Sequence, residues 1–361
     1  MNTLTRYVLR ELLWPLLATI ALLIVVGSTA QLVKMANEIS GVGLSLGELV
    51  GALPFALPTF FARGLPIAFL LAMLVAFGRM AEERELLALA ASGISMRRLL
   101  TVPLIMGTFL TAFGFLMTIW AEPRALEHLR NRLVESAADY FSRTLEPGVI
   151  HDQLSGFMLY FGARDEDGEV HDVVIADERD PTHARLLTAS FGRIELAGGS
   201  RLSFLLKSGE LQEGAAQDPT FRRITFDELD WRLDIGFFVW RAVSQIPMVN
   251  ALPLSELYRR TQEGEQADRD WYTTWLHRKF TYPLANLIFV LLVFPVTTVL
   301  SRQSRLLAYV AAAGMVAVYF TMAEATATLI RLGFSAAAAT WFPNLLFLAI
   351  GAALTTMRVR R

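Results

Sequence analysis

The chain alternates between long uncharged runs and one extended polar block. Residues 12–33, 99–121, 280–300 and 332–357 contain no Asp, Glu, Lys or Arg, and each run is at least twenty residues long. As α-helix, such a run crosses ~30 Å of hydrocarbon. Two weaker stretches complete a set of six. Residues 306–323 are uncharged as far as Glu324, and residues 54–77 are apolar but interrupted by Arg63, Pro58 and Pro66. A buried helix of a large soluble protein mimics one such run, not four. The pattern predicts an α-helical membrane protein with six transmembrane helices, three in 1–121 and three in 273–361. The polar block, 122–272, is inserted between them.

Inside the block the apolar positions alternate with period two, the strand signal. This holds at residues 156–161, 170–175, 193–196, 202–206 and 222–226. Asp165-Glu166-Asp167-Gly168 separates the first two, and Gly198-Gly199 reads as a tight hairpin because glycine supplies the positive φ such turns need. Short strands at this spacing predict an all-β sandwich or jelly roll. Residues 125–144 read as a helix leading into the block, and 254–275 as a mostly helical return. The acids at 165–169 lack EF-hand spacing and read as a solvated turn.

Charge sets the orientation. With the N-terminus inside, the inner flanks hold Arg6, Arg10, Arg79, Arg84, Arg97, Arg98, Arg302, Arg305, Arg358, Arg360 and Arg361, against only Lys34 and Arg331 in the outer short loops. The positive-inside rule then predicts two cytoplasmic termini and a block outside, in a bacterial periplasm. The first run exceeds a signal-peptide h-region, and Ser28-Thr29-Ala30 is a poor cleavage site, so an uncleaved span is expected. The chain has no cysteine and a net charge of −1. That excludes disulfides, thiolate metal sites and a cysteine nucleophile. His128, His151, His171, His183 and His277 are scattered, with no metal-site spacing.

The sharpest local signal lies between the second and third spans, at 78–95. Acids cluster where they favour a helix dipole. Leu86, Leu89 and Ala90 share a face. Gly93 stands where a C′ glycine would end the helix. A short helix near 80–93 results, either a capped connector or a knob that docks into a cytoplasmic partner.

At these residues the chain resembles the LptF/LptG permeases of lipopolysaccharide export. Arg6-Tyr7-Val8-Leu9-Arg10-Glu11 is similar to the family's N-terminal pattern. Glu85-Leu86-Leu87-Ala88-Leu89 followed by Ser92-Gly93-Ile94-Ser95 is similar to its coupling helix. Trp120-Ala121-Glu122-Pro123, Glu146-Pro147-Gly148-Val149, Asp177-Glu178-Arg179-Asp180-Pro181 and Leu276-His277-Arg278-Lys279-Phe280 with Pro283-Leu284-Ala285 follow in the family's order. The N-terminus and coupling helix look most like the LptF type. The resemblance implies six helices with a periplasmic jelly roll between the third and fourth. It implies a paralogous permease as heterodimer partner, a cytoplasmic ABC ATPase dimer and a single-span periplasmic bridge protein. Lipopolysaccharide would be extracted from the inner membrane for delivery to the outer membrane. Glu85 occupies the position of the acid that engages the ATPase, with Leu86, Leu89 and Gly93 building the same helix.

Charges near the outer leaflet are the candidate lipid contacts: Lys34, Arg63, Arg278, Lys279 and Arg331. Intramembrane charges are costly and take partners, and Arg and Lys suit phosphates. The alternatives are snorkelling or internal pairing, for instance Arg331 with Glu324. A basic residue near Lys34 contacts the ligand in the family. Trp120, Trp271, Tyr272, Trp275, Trp341 and Phe342 read as an outer aromatic belt. No GxxxxGK[ST] occurs, so nucleotide hydrolysis is expected from another polypeptide. No catalytic constellation, cofactor, metal or nucleic-acid partner is expected. A membrane-anchored periplasmic sensor or scaffold is the competing reading, disfavoured by the short inner loops. A membrane enzyme would need convergent polar groups at one depth.

Overall fold

The computed structural model describes residues 3–42, 46–132, 146–154, 156–178, 184–196, 201–214, 221–234, 248–300 and 305–359. The chain divides into two compact units. One comprises Met1–Thr29, Phe55–Leu126 and Ile246–Arg361, and the other Ala30–Pro54 and Glu127–Gln245.

The first unit is helical. Helix α1 (Thr3–Val42) runs through Pro15, and α2 (Leu46–Glu82) continues through Pro54, Pro58 and Pro66. The weaker apolar stretch at 54–77 thus lies within one continuous helix. Proline removes one donor, but close packing of neighbouring turns holds the helix. Ala56, Ala62 and Leu65 are each 2% exposed along it. Short helix α3 (Glu85–Ala91) connects to α4 (Met96–Phe115), where the Ser95 side chain accepts a hydrogen bond from the Arg98 amide. Helix α4 passes into a π-helical turn (Leu116–Ala121) and helix continues to residue 132. A 3₁₀ turn (Met248–Ala251) and α5 (Leu254–Arg260) precede α6 (Gln266–Leu300). Next come α7 (Arg305–Glu324), α8 (Thr326–Arg331) and α9 (Ala336–Val359).

Among the described residues, four helices are long and apolar enough to cross a membrane: Thr3–Ala30, Val50–Glu82, Arg98–Arg132 and Ala336–Thr356. Ala313–Glu324 is a shorter apolar helix. The last run was expected to begin at residue 332, but 332–335 form a turn with Gly333 at φ +94°. One apolar cluster holds the unit. It joins Val8 and Leu12 of α1, Phe69, Met73 and Phe77 of α2, Leu100 and Met106 of α4, Phe289 of α6, Tyr319 of α7 and Phe347 of α9. Buried polar links cross it. The Thr111 hydroxyl donates to Pro283 O (3.1 Å), Tyr319 to Asn344 Oδ1 (2.7 Å) and Asn344 to Thr281 O (2.9 Å). Such bonds register helices where no hydrophobic gradient drives them together.

The second unit contains an antiparallel sheet. Its strands are β1 (His151–Leu154), β2 (Phe157–Tyr160), β3 (Ala163–Arg164), β4 (Glu169–Asp177), β5 (Arg185–Leu196), β6 (Arg201–Glu213) and β7 (Arg222–Asp234). Their order is β1-β2-β4-β5-β6-β7, with β3 also on β4, so sequence neighbours pair and no crossover occurs among the described strands. Strands β5 to β7 run twelve or thirteen residues, well beyond the lengths expected from alternation. The reason is visible in the alternation itself. Val170 and Val173 are both buried because Asp172, at φ +54°, reverses the facing between them. Ser208 on β6 has φ +52°. The flanking pairs His171↔Phe191 and Val173↔Ala189, then Phe191↔Lys207 and Ala189↔Gly209, place Asp172, Ser190 and Ser208 in one row. A crease thus crosses three strands, in the manner of aligned bulges that curve a sheet. Gly209 beside it is obligatory, since a Cβ there would lie 2.3 Å from Thr188 O and 2.5 Å from the Phe226 ring. The acidic turn forms as expected, with Gly168 N donating to Asp165 O (3.0 Å) and Gly168 at φ +79°. The Gly198-Gly199 hairpin, the 133–144 part of the leading helix and Arg179-Asp180-Pro181 lie outside the described residues.

Candidate functional site

Helix α3 is shaped by its ends. Arg84 precedes it in the left-handed region (φ 60°, ψ 14°), turning the chain sharply out of α2. Gly93, at φ +77°, closes it: Gly93 N donates to Ala90 O and Ile94 N to Leu89 O, both at 3.0 Å. These are the paired bonds of a Schellman cap, so Gly93 is the C′ residue the spacing predicted. Leu86 is 6% exposed and Leu89 packs on the same core. Ala90, expected on that face, is exposed, and so is Leu87 (60%). The outer face therefore offers Leu87, Ala88, Ala90 and Ala91, a small-residue surface with one aliphatic prominence.

Glu85 opens this helix but its carboxylate faces α1. The Tyr7 hydroxyl donates to Glu85 Oε2 at 2.5 Å. Arg79, on the last turn of α2, lies 2.6 Å from Glu11, 2.8 Å from Glu83 and 3.9 Å from Glu85, and donates to the Tyr7 hydroxyl at 3.0 Å. Tyr7 and Glu11 are one helical turn apart and so share a face. The sequence displayed both as part of a motif and Arg79 as a flanking charge. It gave no sign that they meet.

At the other end of the helical unit the candidate lipid contacts fall into two groups. Lys279 is 5% exposed, and its ammonium donates to Thr118 O (3.1 Å) in the π-helical turn and to Asn250 O (3.4 Å) in the 3₁₀ turn. The Thr118 hydroxyl answers by donating to Lys279 O (3.0 Å). Glu122, 4% exposed, attracts both Lys279 and Arg63. Arg278 donates to Ala323 O (2.9 Å) and Glu324 Oε2 (3.0 Å), and its guanidinium stands 5.0 Å over the Trp275 ring. Glu324 thus pairs with Arg278, where Arg331 had been considered as its partner. Tyr282 also donates to Glu324 (3.2 Å). The Arg63 guanidinium also stands over the Trp275 ring, 5.8 Å from its centroid. The void that these residues line measures ≈ 10 Å³, room for about one water and none for a phosphate. Arg331 is exposed in the last turn of α8. Lys34 lies on α1, and its side chain is outside the described residues. Sequence reasoning missed Glu122, Thr118 and Asn250. Glu122 had a signal, as the first charge after an apolar run.

The expected belt is only partly a belt. Trp120, Trp271 and Phe342 are 54%, 46% and 43% exposed. Trp275 instead has Arg63 and Arg278 within 6 Å of its ring centroid, Trp341 donates to His277 Nδ1 (3.1 Å), and Arg260 donates to the Tyr272 hydroxyl (2.8 Å). In the sheet, an open hollow of ≈ 590 Å³ lies at the crease, lined by Tyr160, Val174, Thr188, Ser208 and Phe226 among others. No cluster of three or more His, Asp or Glu side chains is placed to hold a metal among the described residues.

Comparison with known proteins identifies relatives of the chain. The chain is 24% identical over 319 residues to "Lipopolysaccharide export system permease protein LptF" of Escherichia coli K12, covering 87% of this chain and 84% of the relative. The protein of the same name from Shigella flexneri matches with the same figures. An uncharacterised protein of Rickettsia prowazekii is 21% identical over 247 residues, 68% of each chain. Residues 6–357 match the family described as "Lipopolysaccharide export system permease LptF/LptG", and the chain belongs to that family.

Proposed function

We propose that the chain is the non-catalytic permease subunit of an ABC transporter that extracts lipopolysaccharide from the inner membrane and passes it to a periplasmic bridge. In this reading six spans cross the inner membrane with both termini in the cytoplasm. The sheet-bearing unit is a periplasmic β-jelly-roll domain. The long, creased antiparallel sheet supports that part of the reading, because aligned bulges curve a sheet as such a domain requires. A paralogous permease completes the membrane pathway, and a separate ATPase dimer hydrolyses the nucleotide.

The observation that carries the proposal is α3. It is a capped helix between two membrane-length helices, anchored by Leu86 and Leu89 and presenting an exposed face. That is the form a docking element needs, in a family of lipopolysaccharide export permeases. Glu85, Leu86, Leu89 and Gly93 build it. We assign headgroup contact to Lys34 and Arg331, while Arg63, beside Trp275 and facing the Glu122 charge, belongs to the packed group. Arg278 and Lys279, which already have protein partners, hold the outer helix ends in place for them.

The test is reconstitution of the full complex in vesicles loaded with lipopolysaccharide. ATP-dependent relocation of the glycolipid is expected. Glu85→Ala should keep the fold yet weaken retention of the ATPase and relocation together. Nucleotide hydrolysis without any glycolipid movement would overturn the reading, and unchanged behaviour of Glu85→Ala would remove Glu85 from it.

A further inference from the structure

We infer that Tyr7, with Arg79 and Glu11, is a positioning device that fastens the first turns of α1 to α3, so that the two helices move as one part when a partner displaces α3. The inference rests on the proposed function for what moves α3, and on geometry for the rest. Glu85 is the first residue of α3, and its carboxylate is held by the Tyr7 hydroxyl at 2.5 Å. Arg79 closes the circuit by reaching Glu11 (2.6 Å) and the Tyr7 hydroxyl (3.0 Å).

Apolar packing alone would let α3 slide over α1. Hydrogen bonds to charged groups resist this because they are directional and each fixes an atom. The circuit has four members on three elements: Tyr7 and Glu11 on α1, Arg79 on α2 and Glu85 on α3. It is also only part-buried, with side-chain exposures of 34% for Arg79, 24% for Glu11 and 29% for Glu85. Water at its rim lets the set reorganise without stranding a charge, as a moving joint requires. Helix α1 is in turn the least enclosed membrane-length helix, with 11% of its apolar window buried within the chain. A push on α3 therefore reaches a helix whose long apolar surface is free to face a second permease or lipid.

Two measurements test this. The first compares Tyr7→Phe with the parent in the reconstituted complex with its ATPase. Tyr7→Phe removes one hydroxyl and leaves the ring. We expect co-purification of the ATPase and nucleotide hydrolysis to persist, while glycolipid moved per ATP falls roughly tenfold, the scale of one hydrogen bond to a charged group. Glu11→Gln, which takes Arg79's shortest acid partner, should show the same uncoupling. Parental relocation per ATP in Tyr7→Phe overturns the inference. Loss of the ATPase from that complex also overturns it, by making Tyr7 part of docking. The second measurement is independent of assembly of the variant. The chain has no cysteine, so Arg10→Cys with Ser92→Cys, both at exposed positions outside the face offered for docking, places spin labels on α1 and at the end of α3 alone. Their separation should stay constant on nucleotide binding in the otherwise parental chain. A nucleotide-dependent change there overturns the inference. If the parental complex hydrolyses ATP but moves no glycolipid, the proposed function fails instead, and the label distance still decides whether the helices are fastened.

Discussion

Replacing Lys279 by Met tests whether the charges around Lys279 serve structure or ligand. Lys279 is 5% exposed and Glu122 4%. The ammonium meets two carbonyls, Thr118 O and Asn250 O, and is attracted by the Glu122 carboxylate. Lys279→Met keeps the volume of the side chain but leaves those acceptors and a buried carboxylate with Arg63 as their nearby cation. Removing one member of such a group typically costs about 3–5 kcal/mol, mostly the desolvation of what remains. Glu122→Gln leaves two cations facing each other and should cost a similar amount. The double variant leaves no such orphan from the pair, so its cost should fall short of the summed singles by about 1–3 kcal/mol. The assay is thermal unfolding of the detergent-purified complex for the four members of the cycle, with native mass spectrometry of retained glycolipid alongside. Additive costs would refute the coupling. A Lys279→Met complex of parental stability that had lost its lipid would refute the structural role altogether and return Lys279 to the ligand site.

Three further outcomes follow from local geometry. Gly209→Val places a Cβ 2.3 Å from a backbone carbonyl and 2.5 Å from Phe226, so the sheet should lose about 1–3 kcal/mol or more, read as earlier proteolysis within 151–234. Asp165 accepts from His171 at 2.7 Å and holds its imidazole above the ordinary range. A folded value above the unfolded one stabilises in full at low pH, and that stability is lost as pH rises through the raised value. Asp165→Asn should therefore flatten the dependence of melting temperature between about pH 6 and pH 8. Glu256 is held down to about 2 by its hydrogen bonds to Arg259 and Arg260, from an ordinary 4.5. Its contribution is present above 4.5 and lost as pH falls toward 2, so Glu256→Gln should remove acid sensitivity of α5 in that window, measured by hydrogen exchange.

The helices were legible because charge is so costly in hydrocarbon that its absence marks a span. Gly93 was legible because one backbone geometry demands it. The long strands were not, because reading alternation assumes a constant facing. Asp172 and Ser208 reverse that facing through positive φ, which neither residue type announces. The outer charges were legible as a group and not as pairs. Glu324 is seven residues from Arg331 and 46 from Arg278, yet it is Arg278 that it meets. Local spacing carries i, i+4 partners well, as Arg79 with Glu83 shows. It carries nothing about which helices pack side by side. The same limit hid the Tyr7–Glu85 bond, which spans 78 positions.

The two polar groups of the helical unit differ in a way that bears on where the protein can move. Around Lys279 the two buried charges, Lys279 and Glu122, are 5% and 4% exposed, the void is ≈ 10 Å³, and displacing either strands it away from water. Such a site resists deformation until it breaks. Around Arg79 the charges are 24% to 45% exposed, one guanidinium serves three acids, and each can exchange a protein partner for water at small cost. Local opening free energies follow the same contrast, low where polar contacts are wet and high where they are dry. The α3 end is therefore the compliant end of the unit and the Lys279 end the rigid one. A force applied at α3 would be taken up by α1, α2 and α3 moving against a fixed junction of α4 and α6, rather than by loosening that junction. Substitutions at Tyr7, Glu11 and Arg79 should consequently alter coupling with little change in melting temperature, while those at Lys279 and Glu122 should do the reverse. If both sets shifted stability equally, the division into a compliant and a rigid end would be wrong.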